Sequence, residues 1–183
     1  MKREGCSDSS LYFMPYLKFG DKLKIIIFSD SHGMLRHMLD SIRLEQPDYL
    51  IHLGDHCGDL AEVQRQFPML PSVSVKGNCD YGECNVPEQR LAEYAGVRVL
   101  MAHGHKFGVK SGLLRYYMYA CENQVDVALF GHTHCAYCEN KSGIWILNPG
   151  SCGYNRPSYG IVEIHDGKAV CCVKPVVEKE EEI

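Results

Sequence analysis

Five short groups of metal-competent residues are spread over about a hundred positions of the chain. They are Ser29-Asp30-Ser31-His32, Gly54-Asp55-His56, Gly77-Asn78-Cys79-Asp80, His103-Gly104-His105 and Gly131-His132-Thr133-His134. Carboxylate and amide oxygens mixed with imidazole nitrogens suit first-row divalent ions and require no thiolate, so manganese, iron, cobalt, nickel and zinc all fit. A glycine beside each group lets the backbone turn tightly and approach a ligand without a Cβ in the way. Any one group alone reads as a turn, because Gly, Asn and Asp are the usual turn formers. A single His on an apolar run is more often a satisfied core or surface residue than a ligand, and His37, His52 and His165 are left unassigned on that ground. Five groups in succession, each following a strand-like run, are far harder to obtain by accident.

Those runs must place the groups. Leu23 to Phe28 is a short Ile-rich segment and reads as a buried strand. Met34, Leu35, Met38, Leu39 and Ile42 recur at helical spacing, with Arg36, Asp40 and Arg43 opposite and Pro47 ending the segment. Tyr49 to Leu53 is the next strand, Leu60, Val63 and Phe67 mark a second helix closed by Pro68, and Val73 to Val75 is a third strand. Val97 to Met101 and Val127 to Phe130 read as strands on either side of a helix whose apolar face is Leu113, Leu114, Tyr117, Met118 and Cys121. Strands at Ile144 to Leu147, Ile161 to Ile164 and Val170 to Val173 complete an α/β chain that is mostly β in its last part. Ligands of open α/β sheets bind outside the carboxyl ends of the strands, so the groups could converge on one cleft.

Composition narrows the function classes. A chain of 183 residues forms one domain or two small ones and can bury roughly 70% of its unfolded surface. Hydrophobic residues at 45% and charged residues at 23% are those of an ordinary globular protein. The net charge is -4, and the tail Glu178 to Glu182 holds four acids and one Lys, which leaves the body nearly neutral. Without a basic excess, a nucleic-acid partner is not expected. No apolar stretch approaches the ~18 residues of a membrane span, and polar residues follow Met1-Lys2-Arg3 where a secretory signal would be apolar. The chain is therefore expected in the cytoplasm, with most of its ten Cys as reduced thiols. Cys135-Ala136-Tyr137-Cys138 is half of a zinc-ribbon spacing and has no second Cys-x-x-Cys to complete it. The expected division is an N-terminal arm over 1–22, a domain over 23–175 and an acidic tail over 176–183.

Read in order, Asp-x-His, Gly-Asp, Gly-Asn-x-Asp, His-x-His and Gly-His-x-His resemble the signature of the calcineurin-like metallophosphoesterases. The short chain, Gly77-Asn78-Cys79-Asp80, His103-Gly104-His105 and Asn148-Pro149-Gly150-Ser151 are most similar to the small phosphodiesterases of the YfcE type, over about Leu23 to Val173. The resemblance implies a four-layer α-β-β-α sandwich with two divalent metal ions at one edge. Manganese is the first choice, with nickel, zinc, iron and cobalt as alternatives. Carried over by position, Asp30, His32 and His134 hold one ion, Asn78, His103 and His132 the other, and Asp55 bridges them. The implied reaction is hydrolysis of a small phosphate ester, foremost a phosphodiester, by a metal-bound hydroxide.

Two ions carry about +4, and Asp30, Asp55 and one hydroxide leave roughly +1 to attract an anionic substrate. Asn78 and Arg156 are candidates to stabilise phosphoryl charge; the alternative for Arg156 is a plain surface cation. The family's usual His, thought to assist the leaving group, is replaced here by Cys79. Proton delivery is therefore assigned to His105 or a water, and acidic leaving groups such as aryl esters are expected to be preferred. Two other functions share this fold: a retromer-subunit-like scaffold that binds partners without turnover, and a nuclease, which the neutral body disfavours. Tyr116 and Tyr119 are read as exposed aromatics that either form a homo-oligomer surface or cover their helix.

Overall fold

The computed structural model describes residues 22–154 and 156–177. The expected arm over 1–22 lies outside them apart from Lys22, as does the acidic tail after Val177. The first strand, β1 (Leu23–Phe28), shows why this sequence stacks layers. Its side chains alternate between two buried environments: Ile25 and Ile27 join one apolar cluster, Ile26 and Phe28 another. A strand apolar on both sides belongs in the middle of a sheet covered on both faces.

In chain order there follow α1 (Leu35–Glu45), β2 (Tyr49–His52), α2 (Asp59–Gln66), β3 (Ser72–Ser74), β4 (Gln89–Tyr94), β5 (Val97–Ala102), α3 (Leu114–Glu122), β6 (Val127–Leu129), β7 (Tyr137–Lys141), β8 (Ile144–Asn148), β9 (Ser158–His165) and β10 (Lys168–Pro175). One sheet has the order β10-β9-β1-β2-β3 and the other β4-β5-β6-β8-β7. In the first, β1, β2 and β3 are parallel and β9 and β10 antiparallel. In the second, β5, β6 and β8 are parallel, with antiparallel β4 and β7 at the edges.

Three apolar clusters fill the spaces between four layers. Met38, Leu39 and Ile42 of α1 and Leu60 and Val63 of α2 pack on Ile26, Phe28 and Leu50 of the first sheet. Ile25, Ile27 and Ile51 meet Val99, Met101 and Leu129 between the sheets. Tyr116 and Ala120 of α3 cover Leu100, Ala128 and Ile146. This is the α-β-β-α sandwich that the resemblance implies. No described helix is long and apolar enough to cross a membrane.

Two strands and one helix face differ from the expectations. β4 and β7 lie outside the expected strands because Gln-Arg-Leu-Ala-Glu-Tyr and Tyr-Cys-Glu-Asn-Lys are largely polar; as edge strands they need only one partner. The expected α3 face is wrong in part. Its buried residues are Tyr116 and Ala120, while Leu114 and Met118 are 70% and 50% exposed. The Tyr116 hydroxyl donates to Leu129 O at 2.6 Å, and its ring packs edge-on against Phe107 and Phe130. That anchor sets the rotation of the helix and removes Tyr116 from any subunit surface; Tyr119 is only half-buried.

α1 is tied to the first sheet by a polar contact as well. The buried carboxylate of Glu45 accepts from the Tyr159 hydroxyl at 2.9 Å and from Lys174 Nζ at 2.8 Å, with Lys24 Nζ at 3.4 Å. Burial opposes its charge, but Lys174 and Tyr159 outweigh that and hold its pKa below 4.5. A depressed carboxylate contributes stability that is present above the unfolded pKa and lost as pH falls through the folded one. Glu45→Gln is therefore expected to cost about 1–2 kcal/mol at neutral pH, where Lys174 is partly exposed and the pair partly screened. The gap should close as pH drops below 4.5, which urea titrations at pH 7 and pH 3.5 would detect.

Candidate metal centre

The site forms where the carboxyl ends of both sheets meet. Asp30 follows β1, Asp55 follows β2, Asn78 follows β3, His103 follows β5, and His132 and His134 follow β6. The chain must leave each strand abruptly to turn these side chains inward, and the backbone shows it. Asp30, His32, Asp55, His56, His132 and His134 all have φ between 46° and 73°, the left-handed region that costs a non-glycine residue of order 1–3 kcal/mol. Main-chain bonds across the loops hold these turns: Asp30 N donates to Gly54 O at 3.0 Å and Gly131 N to His103 O at 3.0 Å. Space is equally tight. A Cβ on Gly131 would fall 1.9 Å from Ser29 Oγ and 2.9 Å from Asp30 Oδ2.

Seven residues converge there. Ligand-type atoms of Asp30, His32, Asp55 and His134 lie within 4.8 Å of one another, as do those of Asp55, His103 and His132, so Asp55 belongs to both groups. Asn78 Oδ1 joins the second at 3.2 Å from His103 Nε2. The donor set fits divalent cations on two further observations. Asp30 is fully buried, and while its Oδ2 accepts from the Ser29 hydroxyl at 2.6 Å and from His132 N–H at 3.1 Å, its Oδ1 accepts no hydrogen bond and has the ring nitrogen of His134, itself a ligand-type atom, beside it at 3.1 Å. A buried carboxylate oxygen without a donor costs several kcal/mol unless a cation faces it. Next, His103 Nδ1 must donate to Leu53 O at 2.9 Å, so Nε2 is the nitrogen turned toward Asn78 Oδ1 and, at 3.4 Å, Asp55 Oδ2. Two acceptor oxygens converge on that nitrogen, an arrangement satisfied by a proton on the ring or by a cation in its place.

The electrostatics agree. Burial works against the Asp55 charge, yet His103 and the Cys79 N–H, 2.8 Å from Oδ1, hold its pKa well below the carboxylate range. Burial disfavours charge on His103 too, but Asp55 and Asp30 together draw its pKa above 6.5. His132 is pushed down to about 4 by burial, by His103 and by the nearby Lys110 ammonium, so it offers a neutral ring. His105, its ring centroid 5.5 Å from that of His103 and 6.1 Å from that of His132, is likewise lowered by burial and by His103. Arg156 is exposed, at φ 63°, and no hydrogen bond or ion pair holds it among the described residues. Cys138 Sγ donates to Cys171 O at 3.4 Å, and Cys135 is exposed.

Several positioning residues carry no obvious sequence signal. His52 is buried and kept neutral, its pKa lowered to about 4 by burial. Its Nδ1 accepts from Gly54 N at 3.2 Å, its Nε2 donates to Ser31 Oγ at 3.0 Å, and Ser31 donates on to Asp59 Oδ2 at 2.7 Å. The tautomer follows from that chain of donors, which joins the loops after β1 and β2. Asn148 Nδ2 donates to Gly131 O and Thr133 Oγ1, and Ser151 Oγ donates to Asp30 O at 2.8 Å, so the Asn-Pro-Gly-Ser turn braces both the first and the last of the five groups. His37, unassigned in the sequence, donates from Nδ1 to Cys152 O at 2.7 Å.

Asp80 is the strongest of these. Its carboxylate accepts from the N–H groups of Asp55, His56, Cys57 and Gly77 at 2.6 to 3.0 Å and fastens the β2 loop to the β3 loop. Burial resists its charge, but the four donors lower its pKa. Asp80→Ala is expected to weaken metal binding about 10–100-fold, the usual cost of removing an outer-shell partner, with the protein still folded. Isothermal titration with Mn2+ would measure it.

Known proteins resemble the chain over most of its described length. The model of the calcineurin-like phosphoesterase superfamily domain matches residues 23–167. The chain is 34% identical over 152 residues to the probable metallophosphoesterase YsnB of Bacillus subtilis, covering 80% of this chain and 88% of that one. It is 27% identical over 169 residues to the phosphodiesterase YfcE of Escherichia coli, covering 77% and 88%. In fold it is similar to Vps29 of Entamoeba histolytica in complex with Zn2+, with a TM-score of 0.65 and 19% identity over 85% of this chain and all of the other.

Proposed function

The chain belongs to the calcineurin-like phosphoesterase superfamily, and on that premise we propose that it is a phosphodiesterase using two divalent metal ions, Mn2+ first among them, to hydrolyse a small phosphate ester. The observation that carries the reading is the membership of Asp55 in both groups of ligand-type atoms. Asp30, His32 and His134 are proposed to hold one ion, Asn78, His103 and His132 the other, with Asp55 between. When held by these residues, the ions would supply Lewis-acid stabilisation of the phosphoryl oxygens and would bring the pKa of water toward neutrality.

The chain's own residues do the rest. Leu53 O fixes the tautomer of His103, and Asp80 and Cys79 N–H fix Asp55, so the donor atoms need no rearrangement when the substrate arrives. Asn78 also stabilises phosphoryl charge. Arg156, free of partners among the described residues, is proposed to swing onto a phosphoryl oxygen. With Cys79 where the family usually has His, His105 is the side chain left to meet the departing oxygen. Its lowered pKa keeps the ring neutral at pH 7, so it acts as an N–H donor while water supplies the proton. The cytoplasm is the proposed location.

The test is hydrolysis of bis(4-nitrophenyl) phosphate with added Mn2+, with and without chelator. Chelator-sensitive turnover is expected. A folded, metal-loaded but inert protein would overturn the reading in favour of a scaffold, since a Vps29 also binds Zn2+ and metal uptake alone does not separate the two. In the same assay, His105→Ala should slow esters of weakly acidic alcohols about tenfold or more and 4-nitrophenyl esters much less. An unchanged dependence on leaving-group pKa would exclude the role.

A further inference from the structure

One large groove is not used by the metal centre, and it begins where that centre ends. It encloses roughly 1030 Å³ between the β3–β4 connection, the His105–Phe107 turn and α3. Small-molecule sites usually measure about 300–1,000 Å³, so this one could hold a substantial group. Its inner end is formed by Gly104 and His105, and the His105 ring stands beside His103 and His132. Its apolar walls are Pro87, Phe107, Leu114, Met118 and Tyr119.

From this continuity, together with the rotation of α3, we propose that the groove is the subsite for the leaving group of the phosphodiester, and that the group it takes is an uncharged, flat aromatic alcohol. The proposal rests on the phosphodiesterase reading and adds the substrate class. Three features select that chemistry. Anchoring of Tyr116 turns Leu114 and Met118 outward, so two large apolar side chains stand in water over the groove with no partner among the described residues. Tyr119 and Phe107 pack with ring centroids 5.1 Å apart and offer aromatic surface, and a methionine thioether beside them adapts to a ring. The charged side chains of the lining balance: Lys106 and Arg115 against Glu88 and Glu122, with Lys106 paired to Glu88 at 3.4 Å. A second phosphate would find no excess of positive charge there, whereas a neutral ring would lose water on both faces.

The experiment compares methyl phenyl phosphate with methyl 2-naphthyl phosphate in the Mn2+-loaded protein, since their leaving groups have similar acidity and differ in one ring. The wild type is expected to favour the naphthyl ester by about tenfold in kcat/KM, the scale of discrimination an apolar pocket provides. L114E and M118E, both on exposed positions, should bring that ratio to within about twofold by slowing the naphthyl ester far more than the phenyl ester. Equal rates for the two esters in the wild type, or variants that slow both alike, would overturn the assignment. Binding of the naphthylmethyl phosphonate, read by naphthyl fluorescence, reports on the groove without turnover. If phenyl esters are hydrolysed but this compound binds no tighter than its benzyl counterpart, the subsite falls and the phosphodiesterase stands. If it binds in a Leu114-dependent way and no ester is hydrolysed, the phosphodiesterase reading falls. Sedimentation completes the set: a wild-type dimer that L114E separates without changing the ester ratio would make the groove a contact between copies of the chain and overturn the proposal.

Discussion

Asp55→Ala is expected to lower kcat/KM for an aryl phosphodiester by on the order of 10³ or more and to leave the protein holding at most one of the two Mn2+ equivalents proposed for it. The magnitude follows from where Asp55 sits. Removing an outer partner of one ligand costs about 10–100-fold. Asp55 stands in both groups of ligand-type atoms, so on the proposed assignment its loss would weaken both sites at once and add repulsion between the cations. The fold should survive, because Asp55 closes no apolar layer; its backbone remains tied to Asp80, and its carboxylate meets Cys79 and His103 rather than the core. Elemental analysis of the purified variant, circular dichroism and the aryl ester assay would check the three parts. Two retained equivalents with a rate within about tenfold of wild type would remove the bridging role.

The layers were legible in the sequence because burial on two faces leaves a plain record. Ile25 to Phe28 can only be apolar throughout if something covers both sides, and α1 and α2 repeat their apolar positions at the helical period. Edge strands leave less trace: β4 and β7 bury little and are written in polar residues. The face of α3 failed for a different reason. Tyr, Leu and Met at neighbouring positions give a helix more than one apolar stripe, and the choice was made by a hydrogen bond from Tyr116 to Leu129, thirteen residues away, which no local pattern contains. The five metal-competent groups could be listed from residue type, but what aims them could not. Asp80 looks like a turn residue and Ser151 like part of a loop until the N–H groups and the carbonyl they bind are seen. The positive φ values of Asp30, Asp55, His132 and His134 break the local preference of their residue types, which is where sequence rules are expected to yield to a site.

That dependence of the centre on its loops gives the second large effect. Gly77→Ala is expected to reduce turnover of the aryl ester by about 10²-fold and weaken Mn2+ binding, although Gly77 supplies no ligand. A Cβ at this position would stand 2.1 Å from Asp55 Oδ1 and 2.5 Å from Asp55 N. Both distances are well inside contact, and the second is to backbone, so rotating a side chain cannot relieve it. Nor can the β3 loop retreat freely: Gly77 N donates to Asp80, whose other oxygen holds His56 and Cys57, and the Cβ that Gly54 lacks would itself meet Gly77 N at 2.3 Å. The strain therefore moves the carboxylate that both ligand groups share. A displacement near 1 Å at a reacting centre is enough for about a hundredfold loss. The matching control is Gly82→Ala, where a Cβ meets nothing within 4 Å; its positive φ makes it a backbone cost without a clash at the site. If the two variants lose similar stability and only Gly77→Ala loses Mn2+ affinity, the close approach of two loops sets the geometry of the centre; equal Mn2+ affinities would show that it does not.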